Sequence, residues 1–106
     1  GVSIALGAHA SKVAAMEAIS KAILAVDKKR IEHIMADKHA WGNIVQNASW
    51  DNVKWIVSNT IMKGATTQIN VVDGVPVYEA VRNNVVVRYA IIDNAIRISD
   101  AWFETR

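Results

Sequence analysis

One hundred and six residues, 52% of them apolar, suffice for one modest core, so the expectation is a single domain over 1–106. A formal charge of +2 permits an anionic partner without demanding one, and a nucleic-acid reading must rest on where the cations lie. The absence of cysteine excludes disulfides and thiolate-bound metal, and Lys12, Glu17 and Lys21 break the Ala-rich start before any run could span a bilayer. The chain opens Gly-Val-Ser without an initiator Met, which suits a piece of something longer.

In chain order, Val13, Met16, Ile19, Ile23 and Val26 recur at helical spacing and predict an amphipathic helix from Ser11 to Val26. Asp27 can cap a second helix starting near Lys28, with an apolar stripe of Ile31, Ile34 and Met35. Three basic residues in its first turn oppose the helix dipole, so that end needs tertiary contacts to hold it. Gly42 and Asn43–Ser49 read as a connection. Ser49 then caps a third helix carrying Val53, Ile56, Val57, Thr60 and Ile61, and Gly64 supplies its C-terminal stop.

After residue 64 the period changes from 3.6 to 2. The runs Thr66–Val72, Val75–Arg82, Val85–Ile92 and Ala95–Phe103 are separated by Asp73-Gly74, Asn83-Asn84 and Asp93-Asn94, pairs that tolerate the positive φ of two-residue hairpins. The fold class is therefore α+β: residues 1–64 helical, packed on one face of a four-stranded antiparallel β-meander over 65–106. Symmetric turns pair Ile69 with Tyr78, Tyr78 with Tyr89 and Tyr89 with Ile98 on an apolar inner face that Val87, Ile91 and Ile96 join. On the open face they pair Gln68 with Glu79, Glu79 with Arg88 and Arg88 with Ser99, while Asn70, Val77, Ala90 and Arg97 form the next row. Such a polar row is what an ordinary wet sheet face carries, and Glu79 opposite Arg88 is an ordinary ion pair. The functional alternative is a floor for a phosphodiester, with Arg88 and Arg97 as anion clamps.

The stretch "IEHIMADKHAW" holds two of the three histidines, with Lys38 and Trp41 beside the second. His33 lies about 200° round the helix from Ile31, off the apolar stripe. His39 falls six residues later, where the helix ends, and six is not the i, i+4 spacing of a metal pair on one helix face. No metal or cofactor is expected. Each exposed histidine is by itself an ordinary surface residue. Together with nearby cations, however, two imidazoles supply the base, the acid and the charge stabilisation that RNA cleavage by 2′-OH attack needs.

The runs "RIEHIMADKHAWGNIV", "SWDNVKWIVSNTIMKG" and "IRISDAWFETR" resemble the barnase–EndoU–colicin–RelE (BECR) type of small nuclease domain. The resemblance is closest to the polymorphic toxin type 35 group, found at the C-termini of CdiA-type contact-dependent growth inhibition proteins. It covers Arg30 to Trp102. Its most specific parts are H-I-x-x-x-K-H-x-W, matched by His33, Ile34, Lys38, His39 and Trp41, and I-S-x-A-W at Ile98, Ser99, Ala101 and Trp102. It implies a ribonuclease toxin acting on tRNA and neutralised by a cognate immunity protein. It also implies delivery from a secreted or cell-surface effector into the cytoplasm of a target bacterium. His9 inherits no role.

The site assigned to this activity has His39 as principal general base or acid and His33 as its partner. Arg88 stabilises phosphate charge, with Ser99 or Thr105 donating a hydrogen bond to it. Lys38, Lys54 and Arg97 hold the RNA backbone, and Trp41 or Trp102 stacks a base. Trp50 and Trp102 also read as core, since Trp102 extends the inner face of the last strand. Glu79 is an alternative base, on the open sheet face beside Arg88 and Arg97. A non-catalytic nucleic-acid or protein-binding module on the same face is the competing class; DNA cleavage is weaker, for want of a carboxylate cluster to hold Mg²⁺.

Overall fold

The hairpin turns fix the architecture. Asp73-Gly74, Asn83-Asn84 and Asp93-Asn94 each place two successive residues at positive φ, between 50° and 79°. This is type I′ geometry, whose twist matches that of the flanking strands. Strands β1 (Ala65–Val72), β2 (Val75–Arg82), β3 (Val85–Ile92) and β4 (Ala95–Phe103) accordingly form an antiparallel meander in the order β1-β2-β3-β4. The computed structural model describes residues 12–105. Helices α1 (Lys12–Leu24), α2 (Lys28–Ile34) and α3 (Trp50–Lys63) precede the sheet, with short 3₁₀ turns at Asp37–His39 and Trp41–Asn43. The α+β class, with the helices N-terminal to the sheet, is as the sequence predicts. None of the described helices is long and apolar enough to cross a membrane.

The helices differ from expectation in instructive ways. The predicted start of α1 at Ser11 and the position of His9 lie outside the described residues. The buried face of α1 is Ala15, Ile19 and Ala22, with Ala18 and Ile23 partly covered, whereas Val13 and Met16 are exposed. Ala15 and Ala22 flank Ile19 where α1 packs on β4 and α3, while Val13 and Met16 at its start are turned outward. Asp27 caps α2 as predicted: its carboxylate accepts from Arg30 N at 2.8 Å. The basic first turn finds its tertiary support in β4, where the Arg30 guanidinium donates to Ser99 O at 2.9 Å.

In α3, Val53, Val57, Thr60 and Ile61 are buried. Ser49 occupies the N-cap position in extended conformation but its side chain makes no capping hydrogen bond. The helix does not stop through a left-handed glycine: Gly64 has φ −73° and ψ 162°. Glycine is needed there for space, because a Cβ would lie 2.5 Å from Thr60 O and 2.9 Å from Val81 O. The close approach presses the end of α3 onto β2.

The core joins Ile19, Ile34, Trp41, Val53, Val57 and Ile61 to the inner sheet residues Ala80, Val87, Tyr89, Ile96, Ile98 and Ala101. A buried aliphatic side chain of this kind contributes about 1.5–3 kcal/mol. Tyr78 pairs with Tyr89 and Tyr89 with Ile98 as predicted, and the row Asn70–Val77–Ala90–Arg97 holds throughout.

Two β-bulges change the rest. In β1 the register skips Ile69, so Gln68 faces Tyr78 and Thr67 faces Glu79. In β4 it skips Ser99, so Asp100, not Ser99, lies opposite Arg88. An inserted residue reverses the faces beyond it. Ala101 therefore enters the core, and Trp102 pairs with Val86 on the open face instead of extending the inner one.

Candidate functional site

The bulge in β4 builds the site. It presents Asp100 where the segment from α2 through the first 3₁₀ turn crosses the strand. His33 Nε2 lies 3.2 Å from Asp100 Oδ1, and His39 Nδ1 lies 3.5 Å from the same oxygen. The imidazole rings meet edge to face, with centroids 4.9 Å apart. Asp100 Oδ1 also accepts from Ala101 N at 2.9 Å, which fixes the carboxylate against its own strand.

The chain is shaped locally to achieve this. After α2 ends at Ile34, the two 3₁₀ turns meet at Ala40, which adopts φ 63° and ψ 25°. A left-handed alanine costs roughly 1 kcal/mol. The sharp turn puts both of its neighbours, His39 and Trp41, into buried positions. Trp41 is 2% exposed and donates its indole N–H to Ile34 O at 2.8 Å. It anchors the end of α2 and offers no free face, so the expected base-stacking role is withdrawn.

His39 is buried as well, contrary to the surface position inferred for the segment. Its Nδ1 lies 2.7 Å from Ala101 O. A carbonyl only accepts, so Nδ1 carries a proton, and the tautomer with its lone pair on Nε2 is the one this bond selects when the ring is neutral. His39's side chain is 6% exposed against 40% for His33, which makes His33 the outer member of the pair.

On the open face, Arg88 donates from Nε (3.1 Å) and Nη2 (2.6 Å) to Glu79 Oε2. Its guanidinium lies over the Trp102 ring, 5.3 Å from the centroid. The Trp102 indole N–H reaches Glu104 at 3.3 Å. Thr67, Glu79, Arg88 and Asp100 are successive cross-strand partners, so one row runs from the arginine to the carboxylate that holds both histidines.

The other predicted residues are distributed more widely. Ser99 Oγ donates to Arg88 O at 3.2 Å, which uses its proton and removes it as a phosphate donor in this arrangement. Thr105 is exposed, following Glu104, whose N–H is bonded to Asn84 O beside the β2–β3 turn. It stands about 16 Å along the chain from Asp100 and is not brought to the histidines. Lys38 is exposed and adjacent to His39. Lys54 pairs with Asp51 at 3.3 Å and lines a groove with Ser20, Leu24 and Trp55 between α3 and α1, away from the pair. Arg97 is exposed, three residues before Asp100 on β4, beside Glu17 and Lys21 of α1. Asp100 is the residue that sequence reasoning missed. Only its place two residues before the Trp102 of I-S-x-A-W could have drawn attention to it.

Compared with protein-family models, with curated proteins and with solved structures, the chain matches none.

Proposed function

We propose that this domain is an antibacterial toxin that cleaves RNA without a metal ion. The observation that carries the reading is the pairing of two imidazoles on one carboxylate, in the same cross-strand row as an arginine stacked on an open-face tryptophan. The resemblance in the sequence adds tRNA as the substrate, a cognate immunity protein as the partner, and delivery into a target cell.

The chemistry follows from the tautomer. His39 Nε2 takes the proton of a ribose 2′-OH as O2′ attacks the adjacent phosphorus. The P–O5′ bond breaks, and His33, which enters this step as the imidazolium with Nε2–H turned to Asp100, gives its Nδ1 proton to the leaving O5′ and is left neutral. The products are a 2′,3′-cyclic phosphate and a 5′-OH. Arg88 stabilises the extra charge of the phosphorane; two of its donors are held by Glu79, and Nη1 is left for phosphate. Trp102 offers a face for a base, and Lys38 is a cation beside the pair. Glu79 is less suited as the base, because the guanidinium occupies Oε2 twice.

The test is incubation of the purified chain with total RNA and with tRNA in excess EDTA, followed by analysis of the new ends. Cyclic phosphate ends formed in EDTA support the reading. No cleavage in EDTA, with cleavage restored by Mg²⁺, would remove the metal-free mechanism. Saturable RNA binding with no cleavage under either condition would favour the non-catalytic module.

A further inference from the structure

The sequence argues against a metal because His33 and His39 are six residues apart and neither a cysteine nor a paired carboxylate lies near them. The strand supplies what the helix lacks. His33, His39 and Asp100 each offer a ligand atom, and these lie within 4.8 Å of one another. A tetrahedral Zn²⁺ with bonds near 2.1 Å separates its ligand atoms by about 3.4 Å. Two of the three edges already match, at 3.2 Å and 3.5 Å. The third needs to close by at most about 1.4 Å to reach that geometry, and His33 is exposed enough to move. Asp100 is fixed by Ala101 N through Oδ1. Two imidazoles and one carboxylate suit a borderline transition ion, and one carboxylate is too few for Mg²⁺ or Ca²⁺.

We infer that His33, His39 and Asp100 form a binding site for one Zn²⁺-class ion, and that the ion switches RNA cleavage off. The inhibitory half rests on the function proposed above; the binding half does not. Coordination through Nδ1 of His39 displaces the proton that Nδ1 now donates to Ala101 O. The neutral ring must then carry its proton on Nε2, which removes the lone pair that acts as base. His33 Nε2 and Asp100 are engaged by the same ion, so the acid is immobilised too. Ala101 O, 2.7 Å from Nδ1, must turn aside for the ion and one buried hydrogen bond is given up, so the site binds more weakly than a structural zinc site.

Zn²⁺ titration of the folded chain against a chromogenic chelator tests the site directly. One equivalent is expected to bind. His33→Ala and Asp100→Asn, which change partly exposed side chains, should each weaken binding at least tenfold. Co²⁺ in place of Zn²⁺ should give the intense visible absorption of a tetrahedral ion. Unaltered affinity in both variants, or no binding below millimolar Zn²⁺, overturns the site. RNA cleavage measured in parallel should fall with Zn²⁺ occupancy and return with EDTA. Cleavage that rises with occupancy overturns the inhibitory assignment. A chain that binds Zn²⁺ through these residues but cuts no RNA in EDTA leaves the site standing and removes the proposed function.

Discussion

Asp100→Asn isolates the carboxylate that joins the two histidines. Asparagine has nearly the same shape, and its Oδ1 can still accept from Ala101 N, so the strand and its bulge should persist. The negative charge facing His33 Nε2 at 3.2 Å and His39 Nδ1 at 3.5 Å is lost. A hydrogen bond to a charged group is worth about 1.5–3 kcal/mol, and about 1.4 kcal/mol corresponds to tenfold in rate. Solvent screens part of this, because the His33 side chain is 40% exposed and that of Asp100 is 24% exposed. The low end of the range applies, and single-turnover cleavage of tRNA should slow by roughly ten- to thirtyfold. Thermal melts should show the variant within about 1 kcal/mol of the parent. A folded Asp100→Asn chain that cleaves within about twofold of the parent rate would make Asp100 a bystander and refute the reasoning.

Arg88→Ala should cut the cleavage rate by about 10²–10³, while Glu79→Gln, which only loosens the hold on Arg88, should cost less than about tenfold; a larger loss in Glu79→Gln would make Glu79 the base. Gly64→Ala should lower stability by about 1–3 kcal/mol in urea unfolding, because the new Cβ meets two backbone oxygens that cannot move aside; an unchanged midpoint would contradict the close approach. Burial holds the Tyr89 hydroxyl above its ordinary value of 10.0; Thr66 pulls it back, though no hydrogen bond of good geometry joins the two oxygens, and Tyr78 adds to the rise. The folded state thus keeps this proton to higher pH than the unfolded chain, so the stability involved is complete below about pH 10 and is lost as pH rises through the folded value. Melting curves across that range should show a steeper alkaline fall for the parent than for Tyr89→Phe, and parallel falls would refute it.

The strands and turns were readable because period-2 patterning and Asx-rich pairs are local signals, and all three turns adopt the geometry those residues favour. The bulges were not readable. Neither Ile69 nor Ser99 is a glycine or carries another local mark, yet each shifts the residues beyond it by one. That shift explains why symmetric turns predict Ser99 opposite Arg88 and Trp102 inside, where the structure has Asp100 opposite Arg88 and Trp102 on the open face. In and just beyond α1 the spacing of large apolar residues finds Ile19, Ile23 and Val26 but not Ala15 and Ala22, which pack where Val13 and Met16 do not. His39 was identified as chemically important but not as buried, because its burial comes from a left-handed Ala40 and a strand 62 residues away in sequence.

The central claim is that His39 moves a proton, and His39→Asn tests it most directly. Asparagine Nδ2 can keep the donation to Ala101 O that His39 Nδ1 makes, and it offers no group able to replace the Nε2 lone pair. Cleavage and binding of the same tRNA are measured on a variant shown by its melting curve to be folded. The account predicts RNA affinity within a few-fold of the parent, because phosphate contacts from Arg and Lys carry it. It also predicts a cleavage rate lower by about 10²–10⁴. Full cleavage by the folded variant would contradict it.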